Sequence, residues 1–143
     1  VSMLRPALPA LALALAALHA LAGDLPGPYS ATVSPQALEQ RLGETGLVVL
    51  DVRTPQEFSA GHVPGAVNVP HDQLASRLAE LSGAKDAEVV LYCRSGRRAQ
   101  MAANVLAEAG FDRLTHLEGD YTAWSEAGLP SEKPAAEAAP PGP

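Results

Sequence analysis

The sequence predicts one α/β domain built on a mostly parallel sheet. Two observations support this prediction: the 143 residues amount to about one domain, and short apolar runs alternate with segments that carry helix signals. Strands separated by helices of this length indicate a parallel sheet with helices on both faces. Ligands of such sheets bind beyond the carboxyl ends of the strands, so residues that follow a strand are candidates for function.

Apolar runs predict four strands, at residues 47–50, 66–69, 88–92 and 114–117. The first and third of these runs are apolar almost throughout, which is typical of strands that are buried on both faces. Asp51 and Cys93 directly follow these two strands. We therefore expect both residues at the edge of the sheet where ligands bind.

Capping signals predict where the first two helices begin. Ser34-Pro35 combines an N-cap with proline at the first helical position, which predicts a helix to about Leu42. Thr54-Pro55-Gln56-Glu57 holds a capping box with proline in the first turn, which predicts a short second helix.

The spacing of apolar residues predicts three more helices. They cover residues 72–81, a segment after Cys93 that ends at Gly110, and residues 120–127, which carry Trp124 as a core residue. The expected inner faces consist of Leu74, Leu78 and Leu81 in the first of these helices and of Met101, Val105, Leu106 and Ala109 in the second.

The two ends of the chain differ from the middle. Residues 8–18 form an apolar run after Arg5, and Ala20-Leu21-Ala22 follows it. This layout predicts a secretory signal peptide over residues 1–22, and hence a periplasmic or secreted protein. A retained membrane anchor is the disfavoured alternative, because the run is shorter than the roughly 20 residues that span a bilayer.

Composition divides the rest of the chain into three parts. Residues 23–30 contain two prolines and predict a flexible linker, and residues 31–130 form the expected domain. Residues 131–143 are rich in proline and alanine and carry no large apolar side chain, which predicts a disordered tail.

Charge and cysteine content restrict the classes of function. A formal net charge of −6 disfavours nucleic acid and anionic lipid as partners, and no stable membrane insertion is expected after processing. The single cysteine, Cys93, forms neither an internal disulfide nor a C-x-x-C redox motif. His71 and His116 have no partner at metal-ligand spacing, so we expect no metal. The sequence predicts no oligomeric state.

The strongest local signal is the Cys93 loop, CRSGRR at residues 93–98, between a predicted strand and a predicted helix. Backbone N–H groups at such a position bind an anion, and a helix N-terminus with nearby arginines favours a thiolate. Arginines at this end of a helix are otherwise unfavourable. The sequence thus predicts Cys93 as a nucleophile, with a buried inert cysteine as the alternative. The expected substrate-binding residues are Arg94, Ser95, Gly96, Arg97 and Arg98.

Four segments together resemble the rhodanese-like sulfurtransferase family. They are CRSGRR, DVR with EF at residues 51–58, GHVPGAVNV at 61–69, and LEG with AW at 117–124. The resemblance runs from about residue 34 to 129. It implies a three-layer domain with a central, mostly parallel five-stranded sheet covered by helices on both faces. The sequence departs from the family pattern at Asp120, where a second glycine is common after Gly119.

The resemblance also implies a chemistry. Cys93 would take the outer sulfur of a donor such as thiosulfate as a persulfide and pass it to cyanide or a thiol, without a cofactor. Asp51 and Arg53 are candidates for site support, although an ion-pair and capping network with Glu57 is the favoured interpretation of these residues. His62 is interpreted as a hydrogen-bonded turn residue.

Two other functions stay open on this fold. A phosphatase or arsenate reductase of the same fold needs an arginine six positions after the cysteine, and Ala99 occupies that position. A non-enzymatic binding or sulfur-carrier module is the other alternative, although binding modules of this fold usually lack the cysteine.

Overall fold

The computed structural model describes residues 27–134. The predicted signal peptide and the predicted tail after residue 134 lie outside the described residues. Across residues 27–134, the helices are too short or too polar for any of them to span a membrane.

A five-stranded sheet forms the centre of the described region, and every neighbouring pair of strands is parallel. The spatial order is β1-β5-β4-β2-β3, which confirms the predicted fold class. The strands are β1 (Ala31–Val33), β2 (Leu47–Asp51), β3 (Val67–Asn68), β4 (Glu88–Tyr92) and β5 (Leu114–Leu117). Only β1 was not predicted from the sequence, because Ala31-Thr32-Val33 is not part of a longer apolar run.

Four α-helices lie between residues 27 and 134, and the first two begin as predicted. The Ser34 hydroxyl accepts a hydrogen bond from the Ala37 N–H, and Thr54 forms a complete capping box with Glu57. The helices are α1 (Pro35–Arg41), α2 (Pro55–Ala60), α3 (Arg97–Glu108) and α4 (Asp120–Glu126).

The predicted α-helix over residues 72–81 is wrong. The chain forms two 3₁₀ helices there, Leu74–Ser76 and Leu78–Ala84. Backbone hydrogen bonds span three residues, and the Ser76 and Ser82 hydroxyls donate to carbonyls three residues earlier. Such local side-chain bonds compete with regular helix hydrogen bonding, which explains the tighter winding.

The predicted inner face of α3, the helix that follows Cys93, is also wrong in part. Met101 is 49% exposed, whereas the buried residues of α3 are Ala99, Ala102, Ala103 and Leu106. These four follow the i, i+3, i+4, i+7 spacing of one helix face. The predicted set also followed helical spacing but took the neighbouring face: Leu106 is buried, Val105 and Ala109 are partly buried, and three of the four buried residues are alanines.

The sheet separates two cores. Alternate side chains of β4 enter them: Val89 and Leu91 pack with α3, and Val90 and Tyr92 pack with Leu38 of α1 and Trp124 of α4. The three-layer arrangement and the core position of Trp124 are therefore confirmed. Cys93 continues the alternation on the α3 side.

Both predicted domain boundaries need correction. Tyr29 and Ser30, assigned to the linker, belong to the fold: Tyr29 is buried, and the Ser30 N–H donates to the Leu114 carbonyl. Glu132, assigned to the tail, pairs its backbone with His62 through two hydrogen bonds of 2.9 Å. Both segments gain backbone partners that only the folded chain brings close.

Candidate active site

The carboxyl ends of two adjacent strands position the site. Strands β2 and β4 pair in register, so that Asp51 lies beside Tyr92. The Val52 N–H extends this pairing by donating to the Tyr92 carbonyl. Asp51 and the Cys93 loop therefore lie at one edge of the sheet, as predicted.

The backbone of the loop donates a hydrogen bond to the sulfur of Cys93. Cys93 is 1% exposed, and its Sγ accepts a hydrogen bond of 2.9 Å from the Gly96 N–H. Gly96 has φ +115°, and a Cβ there would lie 3.1 Å from Asp120 Oδ2. Glycine is therefore required, both for the left-handed backbone and for the close approach.

Helix α3 begins at this loop without a side-chain cap from any described residue. Gly96 occupies the N-cap position and offers no side-chain acceptor. The N–H groups of a first helical turn have no partner within the helix, and they carry a partial positive charge. The sulfur accepts one of these N–H groups, that of Gly96, at the start of the helix.

The other face of the loop is tied to α4. The Tyr121 N–H donates to the Cys93 carbonyl at 3.0 Å, and the Thr122 hydroxyl donates to the Arg94 carbonyl at 2.8 Å. These bonds hold the loop carbonyls on the α4 side. The loop is thereby fixed by the helix that follows β5.

Asp120 is a site residue that sequence reasoning missed. Its Oδ1 accepts the Cys93 N–H at 3.0 Å, and both carboxylate oxygens lie 3.0 Å from His116 Nε2. Asp120 is 1% exposed and has φ +56°. The positive φ explains why glycine is common at this position in the family. The presence of an aspartate there was the one sequence signal that could have indicated a role for Asp120.

The predicted arginines take different positions. Arg94, Ser95 and Arg97 are exposed. Arg98 instead donates to both oxygens of Glu57, at 2.6 and 3.0 Å. Hydrogen bonding from Arg98 lowers the pKa of Glu57 to about 2, and the same bond raises the pKa of Arg98.

Asp51 and Arg53 form a buried ion pair with a nitrogen–oxygen distance of 2.6 Å. Arg53 also donates to the Gly61 carbonyl and stacks over the Tyr121 ring at 4.2 Å. Burial lowers the pKa of Arg53, but its bonds and charge interaction with Asp51 outweigh this and raise the pKa overall. The structure thus shows the expected ion-pair and capping network.

An open pocket of about 440 Å³ lies beside the loop. Arg53, Glu57, Arg94 and Tyr121 are among the residues that line it. It combines two cations with two carboxylates, the second from Glu126, and an aromatic ring, so it can take a small polar molecule. His62, by contrast, bonds the Phe58 carbonyl and stacks on the Phe58 ring at 3.6 Å, so it is hydrogen-bonded as predicted. Its backbone lies in a β-bridge with Glu132 and not in a turn.

Comparison with known proteins identifies the family. Residues 34–127 match the family model of the rhodanese-like domain, and the chain belongs to this family. It is 39% identical over 103 residues to a sulfurtransferase of Allochromatium vinosum, covering 71% of this chain and 94% of that protein. It is 36% identical over 94 residues to thiosulfate sulfurtransferase 16 of Arabidopsis thaliana, covering 58% and 78%.

Solved structures agree with the family. A thiosulfate sulfurtransferase of Pseudomonas aeruginosa superposes with a TM-score of 0.64 at 34% identity, covering 72% of this chain and 19% of that one. The chain spans between 56% and 62% of three further curated relatives. At the level of the family, its activity is sulfur transfer.

Proposed function

We propose that this protein is a thiosulfate sulfurtransferase that works through a persulfide on Cys93. The Cys93 thiolate attacks the outer sulfur of thiosulfate, the sulfur–sulfur bond breaks, and sulfite leaves with the bonding electron pair. Cyanide or a thiolate then attacks the outer persulfide sulfur, which gives thiocyanate or an organic persulfide and returns the Cys93 thiolate. This is covalent catalysis in two displacement steps.

The observation that carries the proposal is the hydrogen bond from the Gly96 N–H to Cys93 Sγ, at the uncapped start of α3. Such donors stabilise an anionic sulfur without reorganising during the reaction. Arg94, exposed at the rim of the adjacent pocket, is positioned to attract an anionic donor. Arg94 belongs both to the loop and to the pocket lining, which supports this pocket as the place where the donor approaches the loop.

Position 99 supports sulfur transfer over phosphoryl chemistry. Ala99 is fully buried in the core beneath α3, so its side chain points away from the loop mouth. A phosphate-binding loop would need a guanidinium there to hold the substrate oxygens in pairs. Arg98, one residue earlier, is already bound to Glu57.

The test compares two reactions and two proteins. Thiosulfate-to-cyanide transfer should proceed with the wild type and disappear in Cys93→Ser, because a hydroxyl cannot form a persulfide. Hydrolysis of aryl phosphates should be negligible in both. Phosphatase turnover comparable to sulfur transfer, or transfer that survives in Cys93→Ser, would contradict the proposal.

We further propose that the protein is exported, on the basis of the apolar run and the small residues before Gly23. N-terminal sequencing of protein from the periplasm or medium should begin at Gly23. A stable membrane-bound form that retains residues 8–18 would contradict export.

A further inference from the structure

A buried carboxylate lies directly beneath the Cys93 loop. Asp120 accepts the N–H of Cys93, and its second oxygen lies next to Gly96. Loop N–H groups are the donors that bind an anion at this kind of site. One of them is therefore already engaged by an anion that belongs to the protein.

The groups that face this carboxylate are few. His116 bonds both of its oxygens, and Tyr29 stacks on the His116 ring with 5.0 Å between centroids. The Tyr29 hydroxyl is buried and has no hydrogen-bond partner within the described part of the chain. Burial raises the pKa of Tyr29, and the negative charges of Asp120 and Cys93 raise it further. Asp120 and Cys93 thus both act on the Tyr29 side chain.

We propose that Asp120 determines donor specificity by disfavouring doubly charged donors at the Cys93 loop. This inference rests on the proposed sulfur transfer. A fixed negative charge beneath the loop opposes a bound anion, and burial strengthens the effect because the local dielectric constant is low. A dianion experiences about twice the repulsion of a monoanion. The charge of Asp120 therefore lowers reactivity with thiosulfate more than reactivity with singly charged sulfane-sulfur donors such as thiosulfonates.

Two donors and three variants test the inference. The donors are thiosulfate, a dianion, and benzenethiosulfonate, a monoanion. Asp120→Asn removes the charge and keeps the shape, and Asp120→Gly removes the side chain. Both residues tolerate a φ near +56°, so both variants should fold. Glu118→Gln is the matched control, because it removes a charge at an exposed position two residues away.

The quantity measured is the ratio of kcat/KM for the two donors. Any change in the reactivity of Cys93 affects both donors and cancels in the ratio. All variants are assayed with both donors at one pH and one ionic strength, so that solution conditions do not change the ratio. We expect Asp120→Asn to raise kcat/KM about tenfold for thiosulfate and about threefold for benzenethiosulfonate. Doubling the donor charge doubles the repulsion energy, so the fold-change for the dianion is the square of the fold-change for the monoanion.

The outcomes separate the two proposals. An unchanged ratio in both Asp120 variants overturns the inference while leaving sulfur transfer intact, and so does an equal change of the ratio in Glu118→Gln. If neither donor transfers sulfur to wild-type Cys93, the proposed function fails and the inference fails with it.

Discussion

Two helices begin at the same edge of the sheet, and their first turns are built in opposite ways. Helix α2 has a complete capping box, in which Thr54 and Glu57 satisfy each other's backbone N–H groups. Helix α3 begins at Gly96 with no side-chain cap among the described residues and with the Cys93 sulfur at its start. An N-cap side chain accepts a hydrogen bond from a first-turn N–H group and stabilises a helix by about 1 kcal/mol. Without such a cap, the N–H groups at the start of α3 are available for a ligand.

The two helices are also linked by charge. Glu57 of α2 binds Arg98 of α3 through two hydrogen bonds. The structural helix thereby anchors the first turn of the functional one. The comparison indicates that α2 contributes stability and that α3 contributes chemistry, and the following substitutions test this division.

The largest effect is expected from Gly96→Ala. A side chain at φ +115° is strained, and its Cβ would press on Asp120 Oδ2. Displacing the N–H that bonds Cys93 Sγ should lower kcat/KM for sulfur transfer about a hundredfold.

The control for this substitution is Gly43→Ala. Gly43 has φ +83° and open space around its Cβ position, so the variant adds comparable backbone strain away from the site. It should lose stability and keep its activity. Equal activity of the two variants would show that the loop geometry is not catalytic.

A smaller effect is expected from Arg94→Gln. Arg94 is exposed at the pocket, so it should attract the donor without taking part in bond making. KM for thiosulfate should rise about threefold to tenfold at low salt, with kcat nearly unchanged, and added salt should reduce the difference. Arg77→Gln, at a partly exposed arginine paired with Glu80, should leave KM unchanged. A fall in kcat alone would assign Arg94 a different role.

The smallest effect is expected from Glu57→Gln and concerns stability. Pairing with Arg98 lowers the pKa of Glu57 from 4.5 to about 2. A lowered pKa in the folded state adds stability that is present above about pH 4.5 and is lost as the pH falls towards 2.

Glutamine can complete a capping box, so this variant removes the charge and keeps the cap. Thermal unfolding should show the wild type more stable by about 1 kcal/mol or less at neutral pH, since the pair is partly exposed and screened by solvent. The two curves should converge near pH 2. If the free energy of unfolding differed by a constant amount across this pH range, the Glu57–Arg98 ion pair would not be the cause of the wild type's higher stability.

The sequence predicted those features that depend on neighbouring residues. The N-caps at Ser34 and Thr54, the buried strands and the Cys93 loop each have a local signature, and the structure contains all of them. The loop could be placed at the sheet edge because β4 is apolar after Glu88 and the residues that follow the strand are polar.

The features it did not predict depend on residues distant in sequence. Asp120 lies 27 positions from Cys93, and only the pairing of β4 with β5 brings the two together. Tyr29 lies in a segment with two prolines that predicted a linker, yet it is buried and stacks on His116. The leucine spacing in residues 72–81 correctly predicted helical structure. The type of helix was wrong, because the serine side chains bond carbonyls three residues earlier and the chain winds as 3₁₀ helix.

The most direct test of the account is the intact mass of the wild-type protein after treatment with thiosulfate. We predict a gain equal to one sulfur atom, which cyanide removes with formation of thiocyanate and which does not occur in Cys93→Ser. An unchanged mass, or a gain of one sulfur that persists in Cys93→Ser, would contradict the assignment of Cys93 as the sulfur-carrying nucleophile.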